Sequence, residues 1–171
     1  MKTSRLAANS ILAAACTILG YFALDLGNIK ISFEALPIFV AACLFGAYDA
    51  ALVSLVGTGL YQLLRYGITV TTPLWILPYF VAAIFVGIIS KRYEYDLKMP
   101  ALLIVFVLAE LIITGFNTLA LYVDSKIFQY YTPGFITAVL ALRLGLAAVK
   151  GILFSALLPP LMPSIRKAIG R

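Results

Sequence analysis

The chain contains no histidine and only two cysteines among its 171 residues, and charged side chains make up only 12% of it. Without histidine it has no Ser-His-Asp triad, and it lacks the commonest metal ligand and near-neutral proton carrier. Soluble domains are about 25% charged and about 45–50% apolar, whereas this chain is 63% hydrophobic. A water-soluble or disordered chain of this size could not accommodate that composition. The main solvent of the chain is therefore expected to be lipid.

The sequence also lacks a glycine-rich phosphate-binding loop, a cluster of metal ligands and an internal repeat. We therefore expect no enzyme activity, no metal and no cofactor in this chain. Inverted halves, which many secondary transporters have, are not apparent either. Cys16 and Cys43 lie in apolar runs, which predicts buried side chains rather than a disulfide.

Prolines, glycines and charges separate six apolar segments. A helix crosses the hydrocarbon core with about 20 residues, so six or seven crossings occupy nearly the whole chain. The second segment is short and contains Pro37, which is tolerated where protein covers it. The sixth is expected to end near the Pro159-Pro160 pair. We predict one all-α integral membrane domain with six transmembrane helices at about residues 6–24, 33–45, 48–64, 73–90, 101–123 and 134–160.

The basic residues predict the orientation of the six spans. The side that holds both termini carries eight of them, and the opposite side carries three. Because cytoplasmic loops are enriched in Lys and Arg, both termini are predicted to be cytoplasmic. This accounts for the net charge of +6 without a nucleic-acid partner, and none is expected. The eight are Lys2, Arg5, Lys91, Arg92, Lys98, Arg166, Lys167 and Arg171, and the three are Lys30, Arg65 and Lys126.

Four of the ionisable residues within predicted spans are candidates for a functional role: Glu34, Glu110, Arg143 and Lys150. Such a residue is costly in a bilayer unless it faces a cavity or a partner. Two interpretations of Glu110 and Lys150 stay open, a structural ion pair and a ligand-facing role. Arg143 favours ligand binding, because a guanidinium can hold a carboxylate through two hydrogen bonds.

The outer ends of the predicted spans combine aromatic side chains with cations, which is suited to a planar, anionic ligand. An aromatic belt at the membrane interface is the alternative explanation for tyrosines such as Tyr66 and Tyr130. The candidate ligand-binding residues are Lys30, Phe33, Tyr61, Arg65, Trp75, Asn117, Tyr122, Arg143 and Lys150.

The first span is rich in small residues, which form grooves for close helix approach. The groove either packs against another span of this chain or docks on a separate membrane partner. The candidate partner-docking residues are Asn9, Ser10, Ala13, Ala14, Cys16 and Gly20.

Two stretches of the sequence resemble one family. GNIKISFEALPI at 27–38, followed by LFG at 44–46, resembles the signature of S-components of energy-coupling factor (ECF) transporters. Asn117-Thr118-Leu119 with Tyr122, followed by Leu142-Arg143-Leu144, is similar to the folate-type branch of that family.

The resemblance implies a vitamin-binding subunit of the bacterial plasma membrane, without a cofactor of its own. It implies a transmembrane coupling subunit and two ATPases as partners, which use ATP to drive import. For folate or a pterin, Arg143, Lys150 or Lys30 would neutralise carboxylates and Asn117 would bind ring edges. Trp75, Phe33 or Tyr61 would stack on the ring. Pantothenate, a thiamine precursor or riboflavin remains an alternative ligand, and a self-sufficient transporter, a channel or a membrane scaffold remains an alternative class.

Overall fold

The computed structural model describes residues 3–25, 30–130, 134 and 137–168. Within these residues the chain forms six α-helices and one small antiparallel hairpin, in which Leu24 pairs with Ile31. Lys2, residues 27–29, Tyr131, Pro133 and Arg171, on which parts of the predictions depend, lie outside the described residues. The elements are α1 (Thr3–Tyr21), β1 (Leu24–Asp25), β2 (Lys30–Ile31), α2 (Ala35–Phe45), α3 (Ala47–Tyr66), α4 (Thr72–Arg92), α5 (Met99–Ile127) and α6 (Thr137–Ala168).

Three of the described helices are long and apolar enough to cross a membrane: α4, α5 and the segment Ala138–Ala168 of α6. Helix α2 is a shorter apolar helix of 11 residues, and it occupies the place of the short second segment. Helices α1 and α3 overlap the first and third predicted segments but contain more polar residues. The number of crossings and the cytoplasmic location of both termini stay predictions.

Helix α2 forms the centre of the bundle. It contacts α1, α3, α4 and α6, and nearly all of its residues are buried. The ring of Phe39 lies 4.8 Å from that of Phe106 on α5 and 6.0 Å from that of Phe154 on α6, between ring centroids. Pro37 lies in the first turn of α2, where a missing N–H costs little. The short helix is stable because the longer helices cover it.

Small residues allow the helix backbones to approach closely. A Cβ atom on Gly57 of α3 would lie 2.7 Å from the Cβ atom of Cys16 on α1. On Gly151 of α6 it would lie 2.6 Å from the Cα atom of Val107 on α5. Such contacts replace the hydrophobic driving force that is missing between helices in lipid. They set the spacing of the helices around the cavity described below.

The predicted docking residues of α1 divide between two faces. Asn9, Ala13, Cys16 and Gly20 are buried within the bundle, whereas Ser10 and Ala14 are exposed. The buried positions recur every three or four residues and form one face of the helix. Asn9 donates a hydrogen bond of 2.5 Å to Asp49 on α3. The expectation that all six residues face a separate partner is therefore corrected, since four of them pack internally.

Helix α6 does not end at the Pro159-Pro160 pair, as the sequence suggested. It continues through both residues and Pro163 to Ala168. Leu158 is buried and Met162 packs against the core on this part of the helix. Proline is tolerated in membrane helices where neighbouring groups satisfy the freed backbone. Packing of the apolar side chains thus outweighs the local helix-breaking signal.

Candidate ligand-binding site

A cavity of about 580 Å³ opens where α3 and α5 end and where α4 and α6 begin. Its volume lies within the range of small-molecule sites, about 300–1,000 Å³. This end of the bundle is the one that the charge distribution predicts to face outward. The lining residues are Lys30, Ser32, Tyr61, Gln62, Tyr66, Thr69, Thr71, Trp75, Tyr79, Ile113, Thr114, Asn117, Leu121, Asp124, Phe128, Arg143, Leu146, Ala147 and Lys150.

Lys30 of β2 is bound into one wall of the cavity. Its Nζ atom donates to Glu34 Oε1 at 3.0 Å and to Tyr61 Oη at 2.7 Å. It also lies 3.9 Å from the centroid of the Tyr61 ring, within the range of a cation–π contact. The ion pair and the aromatic ring together hold the hairpin segment against α3.

Glu34 is the buried centre of that wall, with 0% of its surface exposed. Its Oε1 atom also accepts hydrogen bonds from Ser32 Oγ, at 2.8 Å, and from Tyr79 Oη. Its Oε2 atom has no hydrogen-bond partner among the described residues. That oxygen faces α1, because a Cβ atom on Gly20 would lie 2.5 Å from it. Three donors and a close helix contact therefore fix this carboxylate.

Lys150 and Glu110 form a second ion pair, between α6 and α5. Lys150 Nζ lies 2.8 Å from Glu110 Oε2. Glu110 is fully buried, and Lys150 also lines the cavity. The structure therefore contains the interhelical pair that the first interpretation predicted, and it leaves the lysine within reach of a ligand.

Arg143 lies on the same side of α6 as Lys150, two turns earlier. Its Nη1 atom is buried and has no hydrogen-bond partner in the described part of the chain. A buried donor without a partner is costly. Arg143 is therefore the cavity cation that is best prepared to bind an acceptor on a ligand.

Aromatic and uncharged polar groups complete the cavity. The rings of Tyr61 and Tyr66 pack edge to face, with 5.9 Å between centroids. Trp75 and Tyr79 are four residues apart on α4, which places both on the cavity face of that helix. Asn117 on α5 supplies an amide that can both donate and accept. Within the described residues, no group of three or more metal-ligating side chains occurs.

The cavity brings together six of the nine predicted ligand-binding residues: Lys30, Tyr61, Trp75, Asn117, Arg143 and Lys150. The other three lie elsewhere. Phe33 packs against Phe154, with 5.9 Å between ring centroids, and Arg65 donates to the carbonyl of Tyr21 at 2.7 Å. Tyr122 is 43% exposed, and Lys126 lies 5.7 Å from its ring centroid.

Sequence reasoning missed the role of Tyr79 in the cavity and assigned Tyr66 to an interfacial belt. The spacing of Tyr79 four residues after Trp75 was the available signal. Thr71 and Asp124 are likewise absent from the predicted site residues, although both line the cavity. Their contribution depends on contacts between distant segments, which no local pattern reveals.

Solved structures share the overall fold of this chain. The S-component for biotin from an ECF-type ABC transporter matches with a TM-score of 0.70 and 15% identity, over 97% of this chain and 92% of that one. The S component of a bacterial ECF transporter matches with a TM-score of 0.68 and 19% identity over all of both chains. ThiT from Listeria monocytogenes matches with a TM-score of 0.68 and 21% identity, over 96% of each chain. At these identities the matches establish the fold, which is that of an ECF S component.

The sequence profile of the ECF-type riboflavin transporter S component family matches residues 1–167, and the chain belongs to this family. No curated protein matches the sequence. S components are membrane proteins of bacteria and act as substrate-binding subunits of transporters rather than as enzymes. They have no cofactor of their own, and ATP is used by partner ATPases. The predicted resemblance to ECF S components is confirmed, and the folate-type branch is not supported.

Proposed function

We propose that this chain captures riboflavin, or a closely related flavin, at the outer face of the membrane for import driven by partner subunits. In this arrangement six helices cross the bilayer and both termini are cytoplasmic. The observation that carries the proposal is the cavity, which combines aromatic walls with charges that are largely balanced within the protein. Membership of the riboflavin transporter S component family supports it.

The aromatic walls suit a flat, extended ring system. Trp75, Tyr61 and Tyr79 approach the cavity from α3 and α4, while Asn117 approaches from α5. Aromatic side chains stack on planar ligands, and a few polar groups then set the orientation. An isoalloxazine ring offers a large flat face with carbonyl and N–H groups along one edge. Thr114 and Gln62 of the lining can bind the hydroxyl groups of a ribityl chain.

The charges favour an uncharged ligand over folate, which was the ligand implied by the sequence resemblance. The glutamate part of folate carries two carboxylates, and each needs a cation to leave water. Lys30 is already paired with Glu34, and Lys150 is paired with Glu110. Arg143 remains, and its unpartnered Nη1 can donate to a flavin carbonyl. A second folate carboxylate would have to share a lysine whose charge already neutralises a glutamate.

Flavin fluorescence tests the proposal directly. We expect the purified protein to quench riboflavin fluorescence with one equivalent bound, because stacking on Trp75 and the tyrosines brings the ring against aromatic donors. Folate, pantothenate, biotin and thiamine are then tested as competitors. The proposal is wrong if riboflavin does not bind or if folate displaces it at comparable concentration.

The exposed face of α1 is proposed as the part that docks on the coupling subunit. Ala7, Ser10 and Ala14 are exposed and lie on one side of the helix, opposite the face buried against α3. Their small side chains would allow a partner helix to approach closely. We expect Ser10→Leu with Ala14→Leu to abolish co-purification with the ECF module while riboflavin binding is retained. The matched control is Leu103→Phe, on an exposed part of α5.

A further inference from the structure

Asp124 joins three segments at the rim of the cavity. It lies in the last turn of α5 and lines the cavity. Its Oδ1 atom accepts a hydrogen bond from Thr71 Oγ1, and its Oδ2 atom accepts one from Tyr130 Oη at 2.6 Å. Through its two oxygens the carboxylate connects the residue before α4, the last turn of α5 and the residues that follow α5. We name these three residues the rim clasp.

Thr71 is unusual for a residue that precedes a helix. Threonine at this position commonly caps the helix by accepting a hydrogen bond from a backbone N–H. Here the side chain makes no capping hydrogen bond. It is 1% exposed and its hydroxyl points to Asp124 instead. Thr69 Oγ1 lies 3.1 Å from Thr71 Oγ1, so the segment that lines the cavity before α4 is connected to α5.

Tyr130 connects the other segment. Gln129 has a φ angle of 60°, a left-handed conformation that turns the chain back after α5. The backbone N–H of Tyr130 then donates to the carbonyl of Ser125 at 3.1 Å. Burial, and next the hydrogen bond to Asp124, raises the pKa of Tyr130. The phenol therefore stays protonated, and remains a donor, throughout the neutral range.

Several cavity-lining side chains lie next to the rim clasp in the chain. Thr69 and Thr71 precede α4, Phe128 follows α5, and all three line the cavity together with Asp124. Hydrogen bonds to a carboxylate are shorter and stronger than those between neutral groups. Removing the carboxylate would take away the charged acceptor of the Thr71 hydroxyl and leave it the weaker contact with Thr69. The rim would then open on the side between α4 and α5.

We propose that Asp124 is a positioning residue that keeps this side of the rim closed and thereby slows the exchange of ligand. The role rests on the proposed function in that a ligand enters and leaves by this rim. A barrier at the rim opposes entry and exit alike. Loss of the clasp should therefore accelerate association and dissociation together, with a smaller change in the equilibrium affinity.

Stopped-flow fluorescence with riboflavin is the first test. We expect Asp124→Asn, and the double variant Thr71→Val with Tyr130→Phe, to raise both rate constants by about tenfold, the effect of losing one charged hydrogen bond. Thr71→Ser keeps the hydroxyl and should behave like the unmodified protein. Asp96→Asn and Tyr93→Phe, which are exposed and outside the cavity lining, are the matched controls. Unchanged rates, or faster dissociation alone, would contradict a rim barrier and indicate a direct contact or no role.

Hydrogen–deuterium exchange of the ligand-free protein separates this proposal from the proposed function. We expect faster amide exchange in residues 69–72 and 125–130 of Asp124→Asn and of the double variant, but not of Thr71→Ser. Exchange in α2 should be unchanged, which also excludes general unfolding. Unchanged exchange at the rim overturns the clasp even if riboflavin binds. Faster exchange in a protein that binds no riboflavin overturns the proposed ligand and leaves the clasp intact.

Discussion

The two lysine–glutamate pairs of the cavity wall differ in how they are built. Lys30 and Glu34 are four residues apart, and the same carboxylate oxygen also accepts hydrogen bonds from Ser32 and Tyr79. Lys150 and Glu110 are 40 residues apart, and the lysine is the hydrogen-bond donor that the structure gives to this glutamate. The first pair belongs to a network that holds the hairpin segment to the bundle. The second pair is a single ion pair between two long helices, α5 and α6.

The difference indicates what each pair contributes. A buried carboxylate is stabilised by the number and geometry of its donors. Glu34 has several donors from different segments, so its loss would affect the local fold. Glu110 has one, so the pair can be replaced as a unit. Both pairs neutralise a lysine beside the cavity, and this leaves Arg143 to meet an acceptor on the ligand.

The largest expected effect follows from Glu34→Ala. Removing one partner of a buried ion pair typically costs about 3–5 kcal/mol, and here Ser32 and Tyr79 also lose their acceptor. We expect a larger decrease in thermal stability in detergent than for Glu110→Ala. Asp96→Ala, at an exposed position, is the control. An equal or smaller loss than for Glu110→Ala would show that the extra donors do not matter.

The second pair is tested by removing it completely. Glu110→Met alone should destabilise the protein by about 3–5 kcal/mol, because the Lys150 side chain, which is only 15% exposed, loses its partner. The double variant Glu110→Met with Lys150→Met should regain most of that stability, since a buried pair can be replaced by apolar residues of similar volume. Thermal unfolding of the unmodified protein, Glu110→Met, Lys150→Met and the double variant gives the coupling energy.

Riboflavin titration of the same double variant decides between the two interpretations of Lys150. Binding that persists within threefold assigns the pair a structural role. A loss of binding in a protein of recovered stability would assign Lys150 to the ligand.

Arg143→Ala should reduce riboflavin affinity by about 1.5–3 kcal/mol, the contribution of a hydrogen bond from a charged group. The free energy of unfolding should change little or improve, because the variant removes a buried donor that has no partner among the described residues. Arg65→Ala is the control, since Arg65 binds the carbonyl of Tyr21 outside the cavity. Fluorescence titration with riboflavin measures the affinity of both variants. Equal losses for the two variants would argue against a direct role for Arg143.

Hydropathy and charge were sufficient to predict the approximate helical segments, the short α2 and the burial of Glu34 and Glu110, but they did not single out the buried Asp49. Depth along a helix follows from the rise of about 1.5 Å per residue, which placed Asn117 and Arg143 near the outer end. The rotation of a helix about its axis cannot be derived from the rise per residue. Tyr122 on α5 was therefore assigned to the cavity, although it is exposed. For the same reason the sequence did not decide whether Lys150 pairs with Glu110 or faces a ligand. Tyr79 was missed because a tyrosine in an apolar run resembles an interfacial one.

Gly20→Ala gives the smallest effect and probes the side of Glu34 that faces α1. The added methyl group would lie 2.5 Å from Glu34 Oε2 and 2.9 Å from Cγ of Tyr61. Overpacking of this kind costs about 1–3 kcal/mol, although the carboxylate end of Glu34 can shift and relieve part of it. The Lys30 contacts to Glu34 and Tyr61 would then shift too, so riboflavin affinity should fall modestly with stability.

Gly115→Ala on α5 is the matched control for this substitution. A Cβ atom there meets nothing within 4 Å, and alanine in a helix is favoured over glycine by about 0.5–1 kcal/mol. Thermal unfolding and titration of both variants should therefore give changes of opposite sign in stability. If Gly20→Ala were as harmless as Gly115→Ala, the carboxylate of Glu34 would be free to move, and its donors could not be what distinguishes it from Glu110.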